Sequence, residues 1–255
     1  MPLPAAWAPV DTVRMALLVA SPFVGSFLGL VAARLPRREM VLAGRSHCDA
    51  CNHQLGVGDL VPLASYALLR GRCRYCGAPI DPFLPGIELA AFAVALWALL
   101  ATPGWIMAIS CALGWTLLPL ATIDWRTGYL PDVLTLPLAV AGLGIAYAIE
   151  PASVVDHAIG AGAGLAGFAA LAFAYRWIRG RDGLGLGDAK LLGAGGAWVA
   201  WQGLATVILF AAVIGLVLAL MRPRSGVAPT DRIAFGPAVA AAIWLVWLYG
   251  PLVPA

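Results

Sequence analysis

Long apolar segments separated by short clusters of charge constrain this chain more than any other feature. Hydrophobic residues make up 62% of its 255 residues and charged residues only 11%. A helix that spans a bilayer needs about 20 mostly apolar residues. Such segments occur eight times, at about 12–33, 84–101, 104–123, 131–149, 154–175, 187–200, 203–221 and 233–250. The pattern predicts an all-α polytopic membrane protein with about eight transmembrane helices.

Three regions follow from the spacing of these segments. The first segment is too long for a removable signal peptide and lacks a cleavage site, so it is expected to remain as a span. Within the fifth span, small residues recur three or four apart at Gly160, Gly164 and Gly167, which predicts close helix packing. The regions are a first transmembrane helix at 1–34, a polar insert at 35–83 and a seven-helix membrane domain at 84–255.

The distribution of cations predicts the orientation, because Lys and Arg remain in cytoplasmic loops far more often than they cross the bilayer. With the N-terminus outside, fifteen of the sixteen Lys and Arg residues fall in inner loops, and only Arg14 falls outside. The polar insert is then cytoplasmic. The net charge of +3 reflects this rule and attraction to anionic membrane lipid, so no nucleic-acid partner is predicted.

Two aspartates at the ends of apolar segments are the strongest candidates for chemistry. Asp124 ends the third predicted span and Asp188 starts the sixth, and both ends are cytoplasmic in this topology. If the side chains meet, two like charges in an apolar site share one proton. One carboxylate can then take a proton from water while the other protonates a peptide carbonyl, which is aspartyl proteolysis. Gly185 and Gly187 allow another backbone to approach.

Structural roles are the alternative for these residues. Both aspartates would then cap helices or pair with Arg126 and Lys190, and Gly183 would belong, with the glycines before Asp188, to a flexible loop. Asp132 follows a proline directly, where a helix start favours an acidic residue, so a structural role is expected there.

Two CxxC pairs in the polar insert predict a metal site. Cys48 and Cys51 are followed, after 21 residues, by Cys73 and Cys76. Four thiolates in two knuckles suit tetrahedral zinc, and four sulfurs leave no open position, so the zinc is expected to be structural. Disulfides are the alternative, although the reducing cytoplasmic side disfavours them.

Two histidines and a fifth cysteine have other expected roles. His47 and His53 flank the first knuckle and are alternative ligands, although solvated loop histidines are the favoured interpretation. Cys111 stands alone inside the third span and is expected to pack as a small apolar residue.

Taken in order, these motifs resemble the type IV prepilin peptidases of bacteria, which belong to the GxGD class of intramembrane aspartyl proteases. The resemblance covers nearly the whole chain. Besides both CxxC pairs and Asp124, it rests on Gly25-Ser26-Phe27-Leu28, Arg34-Leu35-Pro36, Asp59-Leu60-Val61-Pro62-Leu63, Pro85, Glu88, Leu130-Pro131-Asp132, Gly185-Leu186-Gly187-Asp188-Ala189-Lys190 and Phe235-Gly236-Pro237.

The resemblance implies a bifunctional enzyme of the bacterial inner membrane. Such an enzyme cleaves the short basic leader from prepilins or pseudopilins at the cytoplasmic face, then methylates the new N-terminal amine with S-adenosylmethionine. Asp124 and Asp188 match its catalytic pair, Lys190 and Asp132 are supporting positions, and Glu88 is offered for the methyl-donor region. Two structural roles are equal alternatives to this one: Glu88 binds a backbone amine, or it pairs with a neighbouring Arg.

Two other functions are alternatives. The chain departs from the family pattern at Gly29 and Asp49, in the half that the family associates with methyl transfer, so a peptidase without methyltransferase activity is one of them. The other, from a different class, is a transporter or scaffold with a structural zinc insert. The individual substrate and the oligomeric state are left open.

Overall fold

The structure, a computed structural model, describes residues 9–41, 45–180, 185–221 and 234–252. Gly183 therefore lies outside the described residues. Over the described ranges the chain is almost wholly helical and has no β-strand. The helices are α1 (Pro9–Arg34), α2 (Ala64–Leu68), α3 (Phe83–Ala101), α4 (Ile106–Thr127), α5 (Asp132–Ile149), α6 (Val154–Arg179), α7 (Leu186–Met221) and α8 (Gly236–Tyr249).

These helices confirm the predicted all-α polytopic class. Within the described ranges, α1 and α3 to α7 are long and apolar enough to cross a membrane, while α8 has 14 residues and is shorter. The chain divides into two compact units, residues 1–119 and 120–255. The cysteine motifs belong to the first unit and both candidate aspartates to the second.

The chain reverses direction inside α7, which explains why one long helix replaces two predicted spans. Ala200 interrupts the helix with φ 57° and ψ −179°. Contacts with α8 run in opposite directions on the two sides of this residue: Gly195 lies against Ile243 and Gly203 against Val246, but Gly215 lies against Phe235. The halves 186–199 and 201–221 therefore correspond to the predicted sixth and seventh spans.

Arg14, the one cation predicted outside, donates hydrogen bonds to the last carbonyl groups of a helix in the first unit. Arg14 of α1 donates from Nη2 to the carbonyl oxygens of Leu99 at 2.7 Å and Thr102 at 3.3 Å, at the C-terminus of α3. The last carbonyls of a helix lack intrahelical partners and carry partial negative charge, so they bind a cation well. This contact gives Arg14 a structural reason to depart from the charge rule.

Backbone contacts at glycines join α6 to α7, which pack along much of their length. A side chain at Gly160 would collide with the backbone of Gly196 and Ala200, and one at Gly164 with the carbonyl of Leu192. The predicted packing role is therefore confirmed for Gly160 and Gly164. It is wrong for Gly167, where nothing lies within 4 Å of an added Cβ atom. The spacing was correct, but Gly167 is on the open side of the helix.

We expect Gly164→Ala to destabilise the protein, because the new methyl would stand 2.5 Å from the carbonyl oxygen of Leu192. Overpacking of this kind costs about 1–3 kcal/mol. The matched control is Gly167→Ala on the same helix, which carries the intrinsic helix preference of Ala without the collision. The measurement is the thermal unfolding midpoint in detergent. Equal midpoints for the two variants would contradict the close approach of α6 and α7.

Candidate active site and metal centre

The structure brings the two candidate aspartates together in the 120–255 unit. Asp124 lies near the end of α4 and Asp188 in the first turn of α7. Both are buried, with 5% and 9% of their surface exposed. The two carboxyl groups lie near enough to each other for the charge of one to act on the other. Two acids separated by 64 positions in the sequence are thus both buried in one unit, and their use as a catalytic pair stays a prediction.

The partner of Asp124 is the start of α8. The backbone N–H of Gly236 donates to Oδ2 of Asp124 at 2.8 Å in a buried contact. A Cβ atom on Gly236 would lie 2.6 Å from that oxygen, so only glycine allows the approach. Asp124 therefore caps a helix, as the structural alternative proposed, but the helix is α8 and begins 112 positions away.

In the sequence, Phe235-Gly236-Pro237 stands out only as part of a family pattern. Its signal was a glycine followed by a proline at a helix start, where backbone N–H groups lack partners. Nothing in that signal identifies a carboxylate from α4 as the acceptor.

The glycines before Asp188 set the first turn of α7. The N–H of Asp188 donates to the carbonyl of Gly185 at 3.1 Å. A Cβ atom on Gly187 would lie 3.1 Å from the Cβ atom of Leu130, just before α5. Gly187 is therefore a position of close packing, which differs from the flexible loop of the structural alternative.

Lys190 binds a different acid from the one adjacent in sequence. Its Nζ donates to both carboxylate oxygens of Asp132, at 2.7 and 2.9 Å. The alternative that paired Asp188 with Lys190 is wrong. Asp132 stands in the first turn of α5, so the ion pair joins the starts of α5 and α7 beside Asp188. Both side chains are half-exposed, and ion pairs of this kind add little stability. The geometry therefore favours a role in positioning the starts of α5 and α7.

The four cysteines of the insert form one cluster. Their Sγ atoms all lie within 4.8 Å of one another, and those of Cys48 and Cys76 are 3.9 Å apart. Zinc–sulfur bonds of about 2.3 Å in a tetrahedron place the sulfurs about 3.8 Å apart. All four are free cysteines, which sets aside the disulfide alternative for this structure. The cluster can hold a tetrahedral metal ion.

The two knuckles repeat one backbone pattern. In the first, the N–H of Cys48 donates to His53 and its carbonyl accepts from Asn52; in the second, Cys73 makes the same bonds to Ala78 and Gly77. Asn52 and Gly77 both have positive φ, 55° and 72°. Asn and Gly are the residues that adopt this conformation most readily, so the sequence favours the turn at both sites.

Backbone donors prepare the first knuckle for a ligand role. The N–H groups of Cys51 and Ala50 lower the pKa of the Cys48 thiol to about 7. In the second knuckle the Ala78 N–H lowers the pKa of the Cys76 thiol, but desolvation and the other three thiols outweigh it and raise that pKa to about 11, so Cys48 is the thiol that loses its proton more readily of these two. A lowered pKa favours the thiolate, which is the form that binds metal. The histidines are not part of the cluster: the His53 ring stacks on Tyr75 with centroids 3.6 Å apart, and His47 Nδ1 lies 3.4 Å from the carbonyl of Arg45.

A buried carboxylate braces the insert. Asp59 accepts from Nε of Arg74 at 2.8 Å and from the N–H of Gly56 at 3.1 Å. Its side chain is almost fully buried, and Arg74 lies inside the second knuckle. The brace therefore connects the second knuckle to the segment that follows the first.

Glu88 is bound to the backbone of the same unit. Its Oε2 accepts from the N–H of Leu63 at 2.8 Å, and Leu63 has a positive φ of 59°. Of the two alternatives for Glu88, the backbone amine is the partner observed. A role at a methyl-donor site stays a prediction. Cys111 is completely buried in α4, as expected for a small apolar residue.

Comparisons with known proteins identify the family of the chain. Residues 19–102 match the bacterial peptidase A24 N-terminal domain, and residues 111–220 match the type IV leader peptidase family. No solved structure matches the chain.

Three relatives carry the name prepilin leader peptidase/N-methyltransferase. A protein of Burkholderia pseudomallei is 41% identical over 81% of this chain and 68% of its own length. One of Aeromonas hydrophila is 37% identical over 90% and 88%, and one of Dickeya chrysanthemi is 36% identical over 91% and 92%. The chain belongs to the bacterial type IV leader peptidase family, as its motifs predicted.

Proposed function

We propose that this protein is a membrane aspartyl peptidase that removes the basic leader from type IV prepilins or pseudopilins. The observation that carries the proposal is the buried pair formed by Asp124 and Asp188. Family membership and the names of the relatives support the substrate class. The same names support a second step, methylation of the new N-terminal amine.

The contacts of the two aspartates suggest different roles in cleavage. The Gly236 N–H donates to Oδ2 of Asp124 and holds that carboxyl group in place, so we assign to Asp124 the removal of a proton from the attacking water. Asp188 donates its proton to the carbonyl oxygen of the scissile peptide. The tetrahedral intermediate then collapses, the C–N bond breaks, and the amine leaves with the proton held by Asp124. Asp188 recovers its proton from the collapsing hydroxyl group.

The site is proposed to face the cytoplasm at the bacterial inner membrane. Support comes from the cations, since a basic leader stays on the side where Lys and Arg accumulate. We further propose the predicted division into a first span at 1–34, a metal-binding insert at 35–83 and a membrane domain at 84–255.

The cysteine cluster is proposed to bind structural zinc through Cys48, Cys51, Cys73 and Cys76. Four thiolates at tetrahedral spacing suit this ion and leave no position for a substrate. The ion would hold the two knuckles together, as the Asp59 brace does.

S-adenosylmethionine is the proposed methyl donor, and it supplies the methyl group for the exposed amine. Glu88 accepts from the N–H of Leu63 through one oxygen, which is a contact within the protein. No methyl-transfer step is therefore assigned to this residue. A peptidase without methyltransferase activity would give a cleaved pilin whose N-terminal mass lacks one methyl group.

Asp124→Asn and Asp188→Asn should each reduce leader removal by about three orders of magnitude or more, because neither amide can exchange the proton. In Asp124→Asn the new amide oxygen can still accept from the N–H of Gly236, so the fold should survive. Asp11→Asn, an exposed acid in α1, is the control. The measurement is conversion of a co-reconstituted prepilin, read by gel shift and mass spectrometry. Full cleavage by either variant would refute the proposed pair.

Gly236→Ala should lower cleavage by about 10²-fold, since the new methyl displaces a carboxyl group that lies 2.6 Å from its position. Gly144→Ala is the matched control, because an added Cβ atom there has open space. Thermal unfolding of both variants separates displacement of Asp124 from general misfolding. Unchanged cleavage in Gly236→Ala would show that the approach of α8 does not set the position of Asp124.

Cys48→Ser and Cys73→Ser should release the metal, whereas Cys111→Ser should retain it, because Cys111 lies outside the cluster. Loss of the metal removes much of the folding free energy of a small metal-bound region. The measurement is zinc per chain by elemental mass spectrometry, with limited proteolysis of the insert. Equal zinc in all three variants would exclude the site.

A further inference from the structure

A cavity lies at the end of the 120–255 unit opposite to the aspartate pair. Its volume is about 220 Å³. It is found where α5 ends, where α6 begins and beside the reversal of α7. The residues that matter for its chemistry are Glu150, His157, Trp198 and Trp247.

Hydrogen bonds to backbone carbonyls occupy two of the N–H groups at the cavity. His157 Nδ1 lies 2.9 Å from the carbonyl oxygen of Ala197. A carbonyl only accepts, so Nδ1 is the donor, and in the tautomer that this bond selects Nε2 is an acceptor. The indole N–H of Trp198 already donates to the carbonyl of Leu138 at 2.8 Å. Glu150 adds a carboxylate, which also accepts.

The lining therefore attracts a cation that can donate hydrogen bonds. A carboxylate, an imidazole acceptor and indole rings all interact favourably with an ammonium group. Trp198 and Trp247 meet edge to face, with centroids 5.2 Å apart. No Lys or Arg is among the lining residues, so an anion has no counter-charge here.

Two other cations fit less well. A quaternary ammonium has no N–H group to offer to Glu150 and His157. A metal ion would need more ligands, and within the described residues the grouping of three or more metal-ligating side chains is the cysteine cluster. A primary ammonium satisfies both acceptors.

The position of the cavity suggests the source of this ammonium. The 18 residues of α5 separate Asp132, beside the aspartate pair, from Glu150. At about 1.5 Å per residue this is about 27 Å, close to the thickness of the hydrocarbon core. The cavity thus lies at the level of lipid headgroups on the far side from the aspartates. We propose that it binds a primary ammonium group, supplied by the ethanolamine headgroup of a phospholipid.

Native mass spectrometry of the whole protein in detergent tests this proposal. The protein is supplied with equal amounts of phosphatidylethanolamine, phosphatidylcholine and phosphatidylglycerol. We expect wild type to retain phosphatidylethanolamine in preference to the other two. Glu150→Gln should reduce that preference by about tenfold, since it removes the charged partner of the ammonium. Glu39→Gln, an exposed acid remote in sequence from the cavity, should keep it.

Added soluble phosphoethanolamine distinguishes the two sources of the ammonium. Retention that resists this competitor supports the lipid, and displacement by it supports a soluble amine in the same site. An equal preference in wild type and Glu150→Gln, or no preference in wild type, would overturn the proposal. The thermal unfolding midpoint of Glu150→Gln in detergent, compared with that of wild type, serves as the check of folding. Binding is read directly, so the result does not depend on the proposed peptidase activity.

Discussion

A carboxylate buried among apolar helices has to be compensated, and the contact that compensates Asp124 organises the site. Its Oδ2 accepts the first backbone N–H of α8, from Gly236. The same contact satisfies a helix start that lacks an intrahelical acceptor. The carboxylate thus gains a hydrogen-bond donor, and the start of α8 gains an acceptor. Because α8 packs on both halves of α7, the contact also relates Asp124 to the helix that carries Asp188.

In the 120–255 unit, glycines stand at positions where a backbone lies directly against another group. Gly160 and Gly164 bring α6 against α7, Gly187 brings the start of α7 against Leu130, and Gly236 admits a carboxyl group. In a membrane the hydrophobic effect does little to press helices together, so close van der Waals packing has a larger share of the work. The spatial arrangement of the aspartates therefore depends on residues without side chains.

The membrane face opposite to the aspartates has its own organisation. Asp156, in the first turn of α6, accepts from the indole N–H of Trp201 at 3.1 Å and from the amide of Gln202 at 3.2 Å. These hydrogen bonds connect the start of α6 to the residues directly after Ala200, where α7 reverses direction. The nearby cavity combines Glu150 with aromatic rings, a composition suited to the headgroup region. In our proposals, one end of the unit carries out peptide cleavage and the other binds lipid.

The amino-acid sequence by itself determined the all-helical membrane class, the two CxxC knuckles and the two aspartates, because these depend on local composition and short spacings. It also predicted the family that the comparisons confirmed. Partner choice was decided only by tertiary structure. Lys190 is two residues from Asp188, yet residues two apart on a helix do not face each other, and its partner is Asp132 across the helix pair. Likewise, the contact of Asp124 with Gly236 and the open side of α6 at Gly167 depend on how helices distant in sequence pack, which no local pattern encodes.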